Sequence, residues 1–109
     1  VNNIEREGTK IPAATRIGDA DLVHCSVPYR AKGSPNVLVN GRPWSRQGDN
    51  NTVHLKPCGC PPCCCPHIGS IAVGSRTVFV NGKGAGRIGD AIAGCTAVAQ
   101  GSSNVNAGG

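Results

Sequence analysis

Apolar residues in this chain fall in short runs that end in turn residues, and the runs repeat. Val37-Leu38-Val39 leads into Asn40-Gly41, and Val78-Phe79-Val80 leads into Asn81-Gly82, at a constant offset of 41 residues. An apolar, β-rich run closed by Asn-Gly is the strongest short hairpin signal, because both residues tolerate the positive φ of a type I′ turn. Each run is therefore predicted as a short core strand entering a tight hairpin.

Two further motifs alternate along the chain. Gly-Ser-x-x-Val occurs at Gly33-Ser34-Pro35-Asn36-Val37, Gly74-Ser75-Arg76-Thr77-Val78 and Gly101-Ser102-Ser103-Asn104-Val105. Arg-x-Gly-Asp occurs as Arg16-Ile17-Gly18-Asp19, Arg46-Gln47-Gly48-Asp49 and Arg87-Ile88-Gly89-Asp90, in a sequence with only six acidic residues. The return strand of each hairpin is predicted to run through Arg-x-Gly-Asp, where Gly supplies a special backbone angle and Asp caps the turn. A cell-adhesion role is not expected, since adhesive loops carry a contiguous Arg-Gly-Asp. The sequence opens inside one unit (Pro12-Ala13-Ala14-Thr15-Arg16) and closes inside another (Val105-Asn106-Ala107-Gly108). The N-terminal segment should then complete the last unit and close a pseudo-three-fold object.

Composition adds a constraint. With 109 residues there is room for one domain and a modest core. Trp44, Tyr29 and Phe79 are the only aromatics, so burial energy is thin and a metal or covalent staple is expected to help hold the fold. Sixteen glycines and eight prolines spread along the chain argue for turns over helices. The expected class is all-β, a small pseudo-three-fold pyramidal or conical fold of short hairpins. The expected layout is an N-terminal segment 1–11 and a repeat domain 12–109 with a cysteine-rich insertion at about 56–67.

The net charge of +5 could suit nucleic acid, an anionic surface or an acidic partner. The basic residues are scattered singly, with neither a basic run nor the aromatic platforms of single-strand binders. No stretch approaches the ~20 apolar residues of a membrane-spanning helix, and 1–10 has no hydrophobic signal core. A soluble chain made in the cytoplasm is the expectation.

The repeat phase singles out a metal site. Five residues after each motif aspartate stand His24, His54 and Cys95, all metal-ligand types, and three-fold closure would bring them together. His67, the remaining histidine, lies in the insertion and could supply a fourth ligand. Three imidazoles and one thiolate suit Zn²⁺ best, leave no open position for a catalytic water, and are also compatible with iron. With Cys95 so assigned, Cys25, Cys58, Cys60, Cys63, Cys64 and Cys65 remain, an even number compatible with three disulfides, a thiolate cluster, a second metal or free thiols. A metal hydrolase would need an open coordination position and a general base; Glu5 and Glu7, the only glutamates, precede the repeats.

Pro12-Ala13-Ala14-Thr15-Arg16-Ile17-Gly18-Asp19 resembles the Pro-Ala-Ala-Arg signature of the PAAR-repeat proteins, with Thr15 inserted before the arginine. Arg42-Pro43-Trp44-Ser45-Arg46 and Lys83-Gly84-Ala85-Gly86-Arg87 are degenerate copies, and Gly-Ser-x-x-Val followed by Val-Asn-Gly is the family's other hallmark. The resemblance covers about residues 12–109. It implies a non-enzymatic domain that caps and sharpens the homotrimeric β-helical spike of a type VI secretion system or a contractile phage tail, one copy per trimer, for puncturing a target cell envelope. It also implies a metal, usually zinc, held near the apex by three histidines and one cysteine, which correspond to His24, His54, His67 and Cys95. Family members often carry a fused toxin domain, whereas this chain is expected to be all tip. The insertion from Cys58 to Cys65 departs from the family pattern. The competing expectation is a small cysteine-rich metal-binding module that contacts nucleic acid.

Overall fold

The computed structural model describes residues 11–59 and 63–109. Residues 1–10, with Glu5 and Glu7, and Cys60 in the insertion lie outside the described residues. Six short strands, β1 (Leu38–Val39), β2 (Arg42–Pro43), β3 (His54–Pro57), β4 (Cys64–His67), β5 (Phe79–Val80) and β6 (Lys83–Gly84), pair as three antiparallel hairpins, β1–β2, β3–β4 and β5–β6. No helix occurs among the described residues, so this is a small all-β fold, and none of its elements is a helix long and apolar enough to cross a membrane.

The two Asn-Gly hairpins form where the apolar pattern places them. Asn40 and Gly41 have φ of 54° and 79°, and Asn81 and Gly82 have 55° and 78°, the double positive φ that a type I′ turn requires. Only alternate residues of the strands are core. Val39 and Val80 are buried, whereas Leu38 and Phe79 point outward and are 57% and 60% exposed.

The return strand differs from expectation. It ends after two residues, and Arg-x-Gly-Asp forms a turn of its own. In each copy the Asp N–H donates to the Arg carbonyl, at 3.0, 2.9 and 3.1 Å for Asp19, Asp49 and Asp90. The middle glycines, Gly18, Gly48 and Gly89, have φ near +90° (92°, 88° and 90°), which ends a strand. The Asp carboxylate then accepts three bonds from its own arginine. Arg16 donates its backbone N–H, Nε and Nη2 to Asp19 at 2.8, 2.9 and 3.0 Å. Arg46–Asp49 and Arg87–Asp90 repeat the pattern. These bidentate ion pairs are largely shielded from water, and such pairs are worth more than exposed ones.

Between the units the pairing is cyclic. Arg16 bridges Trp44, Arg46 bridges Ala85, and Arg87 bridges Ala14, so each unit pairs with the next and the third returns to the first. At the residue before each arginine the backbones meet directly: Thr15 N–H donates to Gly86 O, Gly86 N–H to Ser45 O, and Ser45 N–H to Thr15 O, at 3.1, 2.9 and 3.0 Å. The approach is close. A Cβ on Gly86 would come within 2.5 Å of the Ser45 carbonyl oxygen and 2.8 Å of Ile71 Cδ1.

The closure of the third unit also follows expectation. Ala13 bridges Asn106, Ala14 N–H donates to Val105 O, and Ala107 N–H donates to Pro12 O. In the first two units Asn40 and Asn81 offer Oδ1 to the Arg16 and Arg46 guanidiniums. In the third, the Gly108 carbonyl takes that place for Arg87 and also accepts from Ser75.

Two small cores lie along this arrangement. One holds Ala14, Val39, Trp44, Val80, Ala85 and Ala107, with Val37, Val78 and Val105 against it. The other is Ile71, Ile92 and Val98, with Cys95 packed on it. The second layer has repeat-equivalent positions filled unequally. Asp21, Asn51 and Ile92 bridge Val98, Arg30 and Ile71 in turn, so half of the layer is polar. Arg30 is fully buried and donates to Asp21 Oδ2 at 3.1 Å, to Ser45 Oγ and to the Asp49 carbonyl. Burial pushes the Asp21 carboxyl up and the Arg30 guanidinium down, against their mutual attraction.

Two outcomes follow. Gly86→Ala should destabilise by about 2 kcal/mol or more through overpacking on the axis, whereas Gly108→Ala, with open space around its Cβ, should melt as the parent does. The second concerns acid. Burial alone would raise the Asp19 carboxyl, but the hydrogen bonds and charge of Arg16, joined by the charge of Arg42, outweigh it and hold the group below the ordinary range. Its stabilisation is complete above about pH 4, the unfolded value, and is lost as pH falls through the lower folded value. Asp19→Asn should therefore lower the melting temperature at pH 7 and flatten its fall between pH 5 and 2. An unchanged acid slope would contradict this.

Candidate metal centre

The ligand-type residues sit one step beyond the mixed layer, at equivalent positions of the three units. Two cyclic sets of bridges, one at Arg16, Arg46 and Arg87 and one at Asp21, Arg30 and Ile71, hold the backbone up to this level. His24, His54 and Cys95 then converge from their units, and His67 joins them from β4, where it stands opposite His54 in the β3–β4 register. One nitrogen from each ring and the thiol sulfur all lie within 4.8 Å of one another. His24 Nε2 is 2.9 Å and His54 Nε2 is 3.2 Å from Cys95 Sγ. The N···S edge of a tetrahedral zinc site is about 3.5 Å, as its bond lengths require, so small adjustments suffice.

The surroundings prepare these groups to donate lone pairs. His54 Nδ1 lies 2.8 Å from the Thr52 carbonyl oxygen, which can only accept, so Nδ1 carries the proton and Nε2 presents a lone pair to the cluster. His67 Nε2 is buried with no hydrogen-bond partner, a costly state for a polar nitrogen that a metal bond would relieve. The rings are crowded, with His54 and His67 centroids 4.3 Å apart and His24 stacked 5.3 Å from His54. Burial, then the neighbouring charges of His54 and Lys56, lower the pKa of His24. The same causes, with His24 added, lower that of His67. The neutral form that binds metals is thus favoured.

A second tier supports the sulfur. Asn51 Nδ2 lies 3.8 Å from Cys95 Sγ and donates to Asp21 Oδ2 at 3.0 Å, while its Oδ1 accepts the Gly69 N–H at 2.8 Å. Asn51 thus ties the Cys95 thiol, the buried Arg30–Asp21 pair and the exit of β4 together. Gly69 is required here, because a Cβ would approach Ile92 Cγ2 to 2.6 Å and Cys95 Cβ to 3.0 Å.

Sequence reasoning named all four clustered residues but missed Asn51, Asp21 and Arg30. The signal was present: Asp21 and Asn51 each stand two residues after a motif aspartate, in the same phase that located the ligands. None of the Arg-x-Gly-Asp residues enters the cluster; they clamp the turns before it.

Among the described residues, no cysteine of the insertion joins this cluster. Cys25 is bonded to Cys64 and Cys58 to Cys65, and Cys63 is disulfide-bonded as well. Among the described residues Cys95 is the one free cysteine. The β3–β4 hairpin thus accounts for the insertion: it presents His54 and His67 side by side and carries the covalent links. No protein-family profile matches the chain, and no curated protein matches it either.

The cluster should take up one divalent ion per chain. Titration with Co²⁺ should give the absorption of a tetrahedral site with one thiolate. Cys95→Ser should abolish the sulfur-to-metal band, and His67→Ala should weaken binding at least tenfold.

Proposed function

We propose that this chain is a metal-stabilised tip that caps and sharpens a homotrimeric β-helical spike of a contractile injection machine, a phage tail or type VI secretion apparatus, for puncturing a cell envelope. The observation that carries this reading is the cyclic pairing of three units from one chain beneath a single four-residue metal cluster. A trimer ends in three equal edges. One chain with three equivalent faces can meet all of them and still converge to a point. The resemblance to PAAR-repeat proteins supports the same role.

The clamps Arg46–Asp49 and Arg87–Asp90 separate the Asn-Gly hairpins β1–β2 and β5–β6 from His54 and Cys95, so these two hairpins are the parts available to a partner away from the metal. Leu38 and Phe79, equivalent residues and both well exposed, supply apolar docking side chains. Zinc is the metal of choice for three imidazoles and a thiolate. With four protein ligands the ion has no position for a reacting water, so its part is to tie together segments that a small core holds weakly. We assign no enzymatic activity.

A second reading has one observation in its favour. Asp19, Asp21, Asp49 and Asp90 are at most 7% exposed, so the exposed charge of the described residues is cationic. Nucleic acid would be attracted by such a surface, but without stacking platforms the binding should vanish at physiological salt.

Two measurements test the proposal. Mixed with a trimeric spike protein, the chain should form a complex of one copy per trimer by native mass spectrometry, and Leu38→Asp with Phe79→Asp should weaken it without changing the melting temperature. Absence of any complex at micromolar concentration sinks the cap model. Chelation should lower the melting temperature strongly, given that structural zinc contributes on the order of 10 kcal/mol in small domains; an unchanged melt would remove the structural role of the ion.

A further inference from the structure

The hairpin that carries His54 and His67 is poorly held by the usual forces. Its register pairs Leu55 with Pro66 and Pro57 with Cys64, so a proline without an N–H stands in each strand. Burial adds little: His54 is the one buried residue of β3, β4 has none, and Leu55 is 39% exposed. Its noncovalent ties to the rest of the chain include the bonds of Cys25 and Ser26 to Leu55, the backbone ones at 3.1 and 3.4 Å, and the Asn51–Gly69 bond beyond β4.

Covalent links stand where these forces are missing. Cys25, adjacent to the ligand His24, is bonded to Cys64, three residues before the ligand His67. Cys58, four residues after the ligand His54, is bonded to Cys65, two residues before His67. Three of the four ligands are therefore tied to one another through sulfur–sulfur bonds within a few residues of each, and the fourth, Cys95, is the free thiol. Cys25, Cys64 and Cys65 are exposed at the surface, open to a reductant.

We propose that Cys25–Cys64 and Cys58–Cys65 are positioning residues of the metal centre, and that they place metal retention under thiol–disulfide control: the ion is held tightly by the oxidised chain and loosely by the reduced one. This rests on the metal-binding part of the reading above and is independent of any spike partner. The chemistry balances simply. A dithiol of the surroundings delivers two electrons and two protons to each S–S bond, which opens to two thiols while the dithiol closes to its own disulfide. The ion keeps its charge and Cys95 its thiolate. What changes is the order of the β3–β4 hairpin, and losses of support around metal ligands typically cost ten- to a hundredfold in affinity.

The test compares Co²⁺ affinity, by chelator competition, in three forms of the chain: oxidised, reduced with a phosphine that is then removed anaerobically, and the oxidised variant Cys25→Ser/Cys64→Ser. The expected result is affinity ten- to a hundredfold lower in the second and third forms, with a cooperative melt retained and full affinity restored to the second on reoxidation. Equal affinity in all three overturns the inference. So does a cobalt spectrum richer in thiolate after reduction, since the freed cysteines would then be capturing the ion. Global unfolding of the reduced chain also overturns it, because the disulfides would be holding the fold and not the site. If the oxidised chain binds no cobalt at all, it is the metal reading that fails.

Discussion

Three backbone hydrogen bonds running in a circle from Thr15 to Gly86 to Ser45 and back to Thr15 set the spacing of everything else. They require three chain segments to approach a common axis more closely than large side chains permit. The positions there are accordingly Thr, Ser and Gly, and the glycine is the one against which a neighbouring carbonyl packs. Such a ring forms only when all three units are in place. The Arg–Asp clamps act just outside it, turning each segment away from the axis at a fixed angle by saturating one carboxylate with three donors from its own arginine.

Beyond the ring, the apolar clusters are small. The two apolar clusters are built mainly from Ala, Val and Ile, and the layer next to the histidines contains a buried arginine and aspartate whose desolvation opposes their attraction. A structure of this kind is held by directional contacts, and its stability should respond to pH, redox state and metal supply more than a domain with a large oily core would.

Much of this was legible in the sequence because the repeat is short and its phase is strict. Asn40-Gly41 and Asn81-Gly82 located two hairpins, and counting five residues from Asp19, Asp49 and Asp90 located three of the clustered side chains. The N-terminal completion of the last unit was legible for the same reason. Other features were not. That Leu38 and Phe79 face outward depends on which side of a two-residue strand meets the axis, which a run of three apolar residues does not encode. That Arg-x-Gly-Asp is a closed turn depends on side-chain bonds back to its own backbone. The insertion was opaque because adjacent cysteines leave pairing undetermined; only the opposition of His54 and His67 across a hairpin gives it a purpose.

The mixed ligand set has a consequence that concerns symmetry itself. Three identical subunits meeting on an axis can offer a central site its side chains only in identical sets of three. Here one continuous chain writes its three copies separately, so equivalent positions have been free to diverge into His24, His54 and Cys95, and into Arg30, Ile71 and Val98 one level below. The fourth side chain of the cluster, His67, comes from an element that the other two units lack among the described residues. Covalent continuity between the repeats thus permits an asymmetric set of four donor side chains inside a trigonal frame, which no symmetric homotrimer built from one such unit could assemble.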